Sequence, residues 1–370
     1  MAGGVIKVLV VDDSALMRRR IAELLGQAGF LVETAATGAE ALERLPIFDP
    51  DVVTLDITMP GMDGLTCLGR IMVEHPKPVV MLSALTAAGA EETLEALRLG
   101  AVEAVQKPAA GAITRIGEVL VETVRAAASA RPRRVTGLRE RLRRTRARIV
   151  GEDFIAPEPA TTIGTDVGAD GVEDTGVVLV GVSTGGPSTL EEILPALPAD
   201  FPWPVVVAQH MPVAFTATLA RRLDEVCPLR VVEAAQPMVL EPGRIVVARG
   251  GADVELVRRG GRLMVTPVPS SEDKPWHPNA DRLVRSALRL LPPNRLIGVL
   301  LTGMGNDGAE TMAELQRLGG RTIAESEQSA IVFGMPQDLI RRGGASLILP
   351  SERIAGQLQR WLVPSSKRTG

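Results

Sequence analysis

Aromatic side chains make up 2% of the 370 residues, and tyrosine is absent. Base-stacking platforms for single-stranded nucleic acid are built from such rings, so this composition argues against that class of partner. The two cysteines, Cys67 and Cys227, lie far apart and without ligand spacing, which excludes a disulfide framework and reads as buried thiols in a reducing cytosol. Long apolar runs are lacking as well. The N-terminal VIKVLVV is broken by Lys7 and is far too short to cross a bilayer, which points to a soluble cytoplasmic protein. With 41 basic and 44 acidic residues, the net charge of −3 gives no global pull toward nucleic acid or membrane. Histidine is scarce too, so any imidazole base is one of His75, His210 and His277.

The length suggests two or three domains. Val177 to Pro187, VVLVGVSTGGP, is an apolar β-branched run that ends in small and hydroxylated residues, the pattern of a buried strand breaking into a tight turn. Gly181 to Gly185 fits G-x-S-x-G, which holds a serine on a sharp strand-to-helix turn with its hydroxyl exposed above a sheet. Ser183 is therefore the candidate nucleophile. A serine also needs a base. His75 lies in the turn EHPKP of another domain and His277 in the Pro-flanked loop KPWHPN. His210 directly follows the buried-strand pattern Val205 to Ala208 and so sits at a strand end, where open α/β sheets place their chemistry. The orienting carboxylate should stand at a third strand end. LIGVLL, Leu296 to Leu301, runs into TGMGNDG, and its Asp307 is the candidate; the plainer reading is a helix N-cap, which does not need the three flanking glycines. The chain order Ser183, His210, Asp307 differs from that of the α/β-hydrolases.

These residues reach a known family. GVSTGGP, QHMP, PGRIVVARGG, LTGMGNDGAETM and ESEQSAIVFGMP, in that order from about Val177 to Leu362, resemble the catalytic domain of the chemotaxis protein-glutamate methylesterases. The family's catalytic serine, histidine and aspartate fall on Ser183, His210 and Asp307. The resemblance further implies that the backbone N–H groups of Thr184 and Met304 hold the oxyanion. It implies hydrolysis of glutamate methyl esters on chemoreceptor helices, with deamidation of specific glutamines there as a second activity. Two segments depart from the family pattern: ARGGAD stands for APGG-x-H, and WHPNAD for x-RPSVD. Both border the active-site face.

From Val5 to about Ala128, short apolar strands (Val8–Val11, Leu31–Thr34, Val52–Leu55, Pro78–Leu82, Val102–Val105) alternate with segments of helical period, which means a parallel sheet wrapped by helices. The strand ends carry Asp12 and Asp13, Asp56, Ser83 and Lys107. Three converging carboxylates call for a hard cation, and Mg²⁺ fits because it keeps positions open for phosphate oxygens. Asp56 can then accept a phosphoryl group, with Ser83 and Lys107 holding its oxygens. VVDDS, LDITMPGMDG, MLSA and KP resemble a two-component receiver. That resemblance implies phosphorylation by a histidine kinase, a cis peptide before Pro108, and an unphosphorylated receiver that covers the catalytic face. Ala104 stands where receivers carry a switch aromatic.

Between the two domains, Arg131 to Arg148 holds nine arginines and one acid, and Glu152 to Asp174 seven acids and no base. The basic part has the spacing of a short helix and the acidic part the composition of a disordered tether. Leu229 to Pro267 reads as short strands forming an antiparallel hairpin at the sheet edge, GGRTIAES and SAIVFGMP as a strand pair around a turn, and Ser351 to Leu362 as a terminal helix. The expected architecture is α/β: a doubly wound (βα)5 receiver domain over 1–128, a charged linker over 129–176, and a Rossmann-like, mostly parallel catalytic domain over 177–370. Two rival readings are open. A dinucleotide site would need glycine where Ser183 stands. A non-enzymatic output module would contact nucleic acid or protein through the arginine segment.

Overall fold

The computed structural model describes residues 4–83, 87–107, 113–130, 175–271, 274 and 276–362. The arginine-rich and acidic segments between 131 and 174, and Pro108 with its expected cis peptide, lie outside the described residues.

The N-terminal unit has five parallel strands: β1 (Lys7–Val11), β2 (Leu31–Ala35), β3 (Val52–Asp56), β4 (Val79–Ser83) and β5 (Glu103–Gln106), in the spatial order β2-β1-β3-β4-β5. Their near-continuous apolar runs are what a sheet covered on both faces requires. The covering helices are α1 (Ala15–Gln27), α2 (Gly38–Phe48), α3 (Gly64–Glu74), α4 (Ala87–Arg98) and α5 (Ile113–Ala127). Side chains of Ser14, Thr37 and Asp63 cap α1, α2 and α3 through the amides of Met17, Glu40 and Thr66. The strand order reverses direction between β1 and β3, and ligands collect in the crevice at such a switch point.

The C-terminal unit is built on a seven-stranded parallel sheet. Its members are β6 (Val177–Val182), β7 (Val205–Gln209), β8 (Arg230–Ala234), β10 (Arg244–Ala248), β13 (Leu296–Leu300), β14 (Arg321–Glu325) and β15 (Leu347–Leu349), ordered β15-β14-β13-β6-β7-β10-β8. A separate antiparallel sheet joins β9 (Met238–Val239), β11 (Ala252–Arg259) and β12 (Arg262–Pro269). The helices are α6 (Gly186–Ile193), α7 (Val213–Val226), α8 (Ala280–Leu288), α9 (Ala309–Arg317), α10 (Met335–Arg341) and α11 (Ser351–Leu362). Among the described residues no helix is long and apolar enough to cross a membrane.

Three local expectations need correction. Only β11 and β12 make the antiparallel hairpin; VVEAA and GRIVVA enter the main sheet as parallel neighbours, because the segment between them crosses over and gives β9 to the small sheet. SAIVFGMP is not a strand. Apart from one bridge between Gly303 and Phe333, its backbone braces the loop after β13: the Gly303 amide donates to the Val332 carbonyl, and the Gly334 and Met335 amides donate to the Gly303 carbonyl. Pro336 in the first turn of α10 then starts a helix, a position where proline loses no bond. Cys67 is buried as expected but Cys227 is only half-buried; burial pushes both thiols up to about 12, so neither is a thiolate at neutral pH.

The two units pack against each other. Helix α4 lies on α6 and α7, and Ile331, Val332 and Met304 share one apolar cluster with Val105 and Val124 of the N-terminal sheet and its helix α5. Across this contact Arg221 Nη2 meets Glu91 Oε1 at 2.6 Å, and Arg222 Nη2 meets Glu95 Oε2 at 3.1 Å.

Candidate active site

Strands β13, β6 and β7 are neighbours, and all three are parallel, so the loops leaving their carboxyl ends emerge at one sheet edge. Pairing of Val182 with Gln209 and of Leu300 with Gly181 brings Ser183, His210 and the Thr302–Gly308 loop side by side. The Ser183 amide donates to the Thr302 carbonyl (2.9 Å) and the His210 amide to the Val182 carbonyl (3.0 Å). Gln209 ties the two ends together, its Nε2 donating to the carbonyls of both Ser183 and His210 at 3.0 Å. Thr302 Oγ1 donates to the Thr184 carbonyl at 2.9 Å. The turn itself requires glycine: Gly185 has φ of +79°, and a β-carbon on Gly186 would overlap the Gln209 side chain.

His210 Nε2 lies 2.7 Å from Asp307 Oδ2. The carboxylate accepts three further bonds, from Asn279 Nδ2 (2.8 Å) and the backbone amides of Ala280 (2.7 Å) and Asp281 (3.0 Å). Those amides begin α8, so Asp307 caps that helix and not α9, whose own N-cap is Gly308. Burial works to raise the Asp307 pKa, but the His210 bond and the two amides outweigh it and hold the pKa below the usual range. An ionised Asp307 orients the imidazole with its proton on Nε2. The other nitrogen, Nδ1, is buried with no hydrogen-bond partner among the described residues, and in that tautomer it is an acceptor. Close by, a β-carbon on Gly303 would lie 2.6 Å from Ser183 Cβ, so the loop leading to Met304 passes directly against the serine. Neither the Thr184 nor the Met304 amide has a backbone acceptor among the described residues.

In the N-terminal unit four of the five singled-out side chains, those of Asp12, Asp13, Asp56 and Lys107, also converge. One ligand oxygen from each of Asp12, Asp13 and Asp56 lies within 4.8 Å of the others. Lys107 Nζ sits 2.6 Å from Asp56 Oδ2 and 2.9 Å from Asp12 Oδ2. Burial raises the Asp56 pKa against the opposing pull of Lys107; burial opposes the Lys107 charge, but its two carboxylates win and raise its pKa. Such an all-oxygen, negatively charged set suits a hard divalent cation. Ser83 Oγ, at the end of β4, is 2.9 Å from Thr93 Oγ1 of α4. His75 caps the end of α3 at the surface side of that unit.

Sequence reasoning missed several residues around the esterase-like edge. Asn279, Asp253, His277 and Trp276 surround His210 and Asp307 from the β11–α8 side. All four lie in the two segments that depart from the family pattern, and Asn279 is also the N-cap before ADRLVRSAL: its Oδ1 accepts from the Arg282 amide at 2.8 Å. Glu103 of β5 left no local trace. Half-buried between the units, it accepts from the Thr184 hydroxyl, beside Ser183, which is itself 5% exposed.

Residues 178–358 match the family model described as CheB methylesterase, and residues 8–115 match the response regulator receiver domain. The protein-glutamate methylesterase/protein-glutamine glutaminase 3 of Rhodospirillum rubrum is 56% identical over 364 residues, covering 96% of each chain. A second such protein, from Rhodopseudomonas palustris, is 48% identical over 96% of this chain and 98% of its own. The crystal structure of the Thermotoga maritima CheB methylesterase catalytic domain is 36% identical, spans 50% of this chain and 98% of that one, and superposes with a TM-score of 0.49. Identity at this level along almost the whole length makes the chain a member of the CheB methylesterase family, with the receiver domain at its N-terminal side.

Proposed function

We propose that this protein is a receiver-controlled serine hydrolase that removes methyl groups from glutamate side chains of chemoreceptor helices, releasing methanol, and deamidates specific glutamines there. The observation that carries this reading is the 2.7 Å His210–Asp307 pair beside the Ser183 turn, with His210 Nδ1 left as acceptor. Ser183 Oγ attacks the ester carbonyl as His210 takes its proton. Asp307 fixes the ring and stabilises the imidazolium. The amides of Thr184 and Met304 receive the oxyanion, each contributing about 10²–10³ in rate. His210 then returns the proton to the departing methanol, and water, activated by the same ring, hydrolyses the acyl-enzyme to glutamate. With a glutamine side chain the leaving group is ammonia and the product is the same.

The receiver spans about 1–128, is tethered by 129–176, and acts on the catalytic domain over 177–370. Asp56 accepts the phosphoryl group from a histidine kinase of a chemotaxis-like system. Asp12, Asp13 and Asp56 would hold Mg²⁺, whose charge offsets that of the phosphoryl oxygens. Ser83 and Lys107 contact those oxygens. With Ser183 5% exposed and Glu103 against Thr184, the described arrangement is the closed one, and phosphorylation shifts it toward an open one. The protein works in the cytoplasm on receptor helices, without membrane insertion and without a nucleic-acid partner.

The test is methanol release from methyl-esterified receptor helices by wild type and Ser183→Ala, each with and without a small-molecule phosphodonor and Mg²⁺. Release that needs Ser183 and rises with the phosphodonor is expected. Release that persists in Ser183→Ala would sink the nucleophile assignment.

A further inference from the structure

Trp276 stacks on His210, with ring centroids 5.9 Å apart and planes 10° from parallel. In a chain so poor in aromatics this placement has an identifiable cause in the adjoining residue. His277 is gripped through both ring nitrogens: Nδ1 lies 2.8 Å from Asp253 Oδ1, and Nε2 lies 2.9 Å from the Lys274 carbonyl oxygen. Both partners can only accept, so the two contacts are both hydrogen bonds only when the ring carries both protons. Asp253, 1% exposed, is the hub. Its Oδ1 also accepts the Asn279 amide at 2.8 Å, and its Oδ2 accepts Arg282 Nη1 at 3.1 Å. Asn279 passes the constraint on through its 2.8 Å bond to Asp307. One buried carboxylate therefore anchors both ends of segment 276–279, the end that covers His210 and the end that braces Asp307. The two segments that depart from the family pattern, ARGGAD and WHPNAD, are the two that meet here.

We propose that Asp253 and His277 are positioning residues: a second histidine–carboxylate pair, outside the Ser183–His210–Asp307 set, that holds Trp276 against the His210 ring and Asn279 against Asp307. The indole face shields one side of the imidazole from water and attracts the imidazolium that forms when Ser183 is deprotonated. The proposal rests on the reading of His210 as the catalytic base.

The experiment compares full-length wild type, His277→Leu, His277→Arg and Trp276→Leu in two readouts. The first is methanol release from methyl-esterified receptor helices. His277→Leu should lower kcat by about tenfold to a hundredfold, as expected for a misplaced base, while KM changes by less than about twofold because no substrate contact is lost. His277→Arg, which keeps an N–H donor for Asp253, should recover most of kcat. The second readout is the NMR spectrum of the histidine rings, which needs no substrate and is simple because there are three of them. The ring current of Trp276 displaces the His210 resonances; Trp276→Leu removes that displacement, and His277→Leu should remove most of it. If His277→Leu keeps both kcat and the His210 resonances of the wild type, the pair does not position Trp276 and the proposal is wrong. It is equally wrong if Leu and Arg variants fold normally and lose kcat alike. Wild type that releases no methanol would overturn the esterase reading alone, and the resonances would still decide whether the pair holds Trp276 on His210.

Discussion

On the proposed reading, Glu103 should make closure of the receiver over the active site dependent on pH. Its carboxyl group sits between the units, with the Ala104 amide donating to Oε1 at 3.0 Å and the Thr184 hydroxyl also donating. Burial dominates over these two bonds and lifts its pKa from 4.5 to about 7. A carboxyl group whose pKa is raised in the closed state imposes no charge penalty below its ordinary value. The penalty grows as pH rises between about 4.5 and about 7, and is complete above that. Each pH unit is worth about 1.4 kcal/mol, which over this span gives about 3 kcal/mol. Solvent reaches part of the side chain and screens it, leaving about 1–2 kcal/mol, or about tenfold in the open population. Glu103→Gln keeps an acceptor for both donors and removes the charge, so it should close the protein more tightly at neutral and alkaline pH. The assay is basal methanol release without phosphodonor, plotted as the ratio of Glu103→Gln to wild type, so that any pH dependence common to both cancels. The ratio should fall from near one at the acid end to about one tenth above pH of about 7. A ratio that is flat, or that rises with pH, would refute the placement of a buried carboxyl group in the closed contact.

Arg222 bridges Glu95 of α4 (3.1 Å) and Glu191 of α6 (2.7 Å), with 21% of its side chain exposed; Arg222→Ala should loosen the closed state by about 1–2 kcal/mol and raise basal methanol release about five- to thirtyfold. Asp307→Asn removes the charge that fixes the His210 tautomer and should cost about 10³–10⁴ in kcat, measured by single-turnover methanol release on protein whose circular dichroism matches wild type. Asp56→Asn should abolish stimulation by a phosphodonor, as should chelation of Mg²⁺ in the wild type, each read as the ratio of rates with and without the phosphodonor.

Much of the architecture was legible because parallel strands are apolar on both faces and end abruptly in polar residues. Ser183 was singled out by its G-x-S-x-G turn, and His210 and Asp307 as a histidine and a carboxylate after apolar strands; adjacency of β13, β6 and β7 in the sheet makes neighbours of these residues, far apart in the chain. The same logic located Asp12, Asp13, Asp56, Ser83 and Lys107. What escaped were groups whose roles depend on long-range contacts that leave no local pattern. Asp307 looked like the cap of the helix directly after it, whereas it caps α8, nearly thirty residues earlier, through the amides of Ala280 and Asp281. Ile331 and Val332 read as strand because they are β-branched. They serve instead as a brace for Gly303 and as apolar surface toward the receiver, two tasks that need bulk but no strand period. Glu103 alternates with apolar neighbours like any edge residue, and its place against Thr184 of the other unit leaves no local pattern.

A physical route joins the two sites. Ser83 ends β4 beside β3, whose last residue is Asp56, and its carbonyl accepts the Lys107 amide at 2.9 Å. Its hydroxyl accepts from Thr93 Oγ1 at 2.9 Å, on the helix that also carries Glu91 and Glu95, which face Arg221 and Arg222. On the proposed reading, a phosphoryl group on Asp56 would bring new anionic acceptors to the edge that Ser83 shares, and a hydroxyl donates more strongly to a charged oxygen than to a neutral one. Turning Ser83 toward the phosphoryl group therefore takes a bond from α4. At the other end of the contact, Lys107, which neutralises Asp56 and Asp12 in the closed form, is drawn to the same oxygens, and it comes directly after β5, the strand that carries Glu103. Both elements that clamp the catalytic unit, α4 and β5, are thus tied to side chains that must rearrange around Asp56. Ala104 gives β5 no large side chain to swing, so on the proposed reading the signal would pass through the hydroxyl and the lysine.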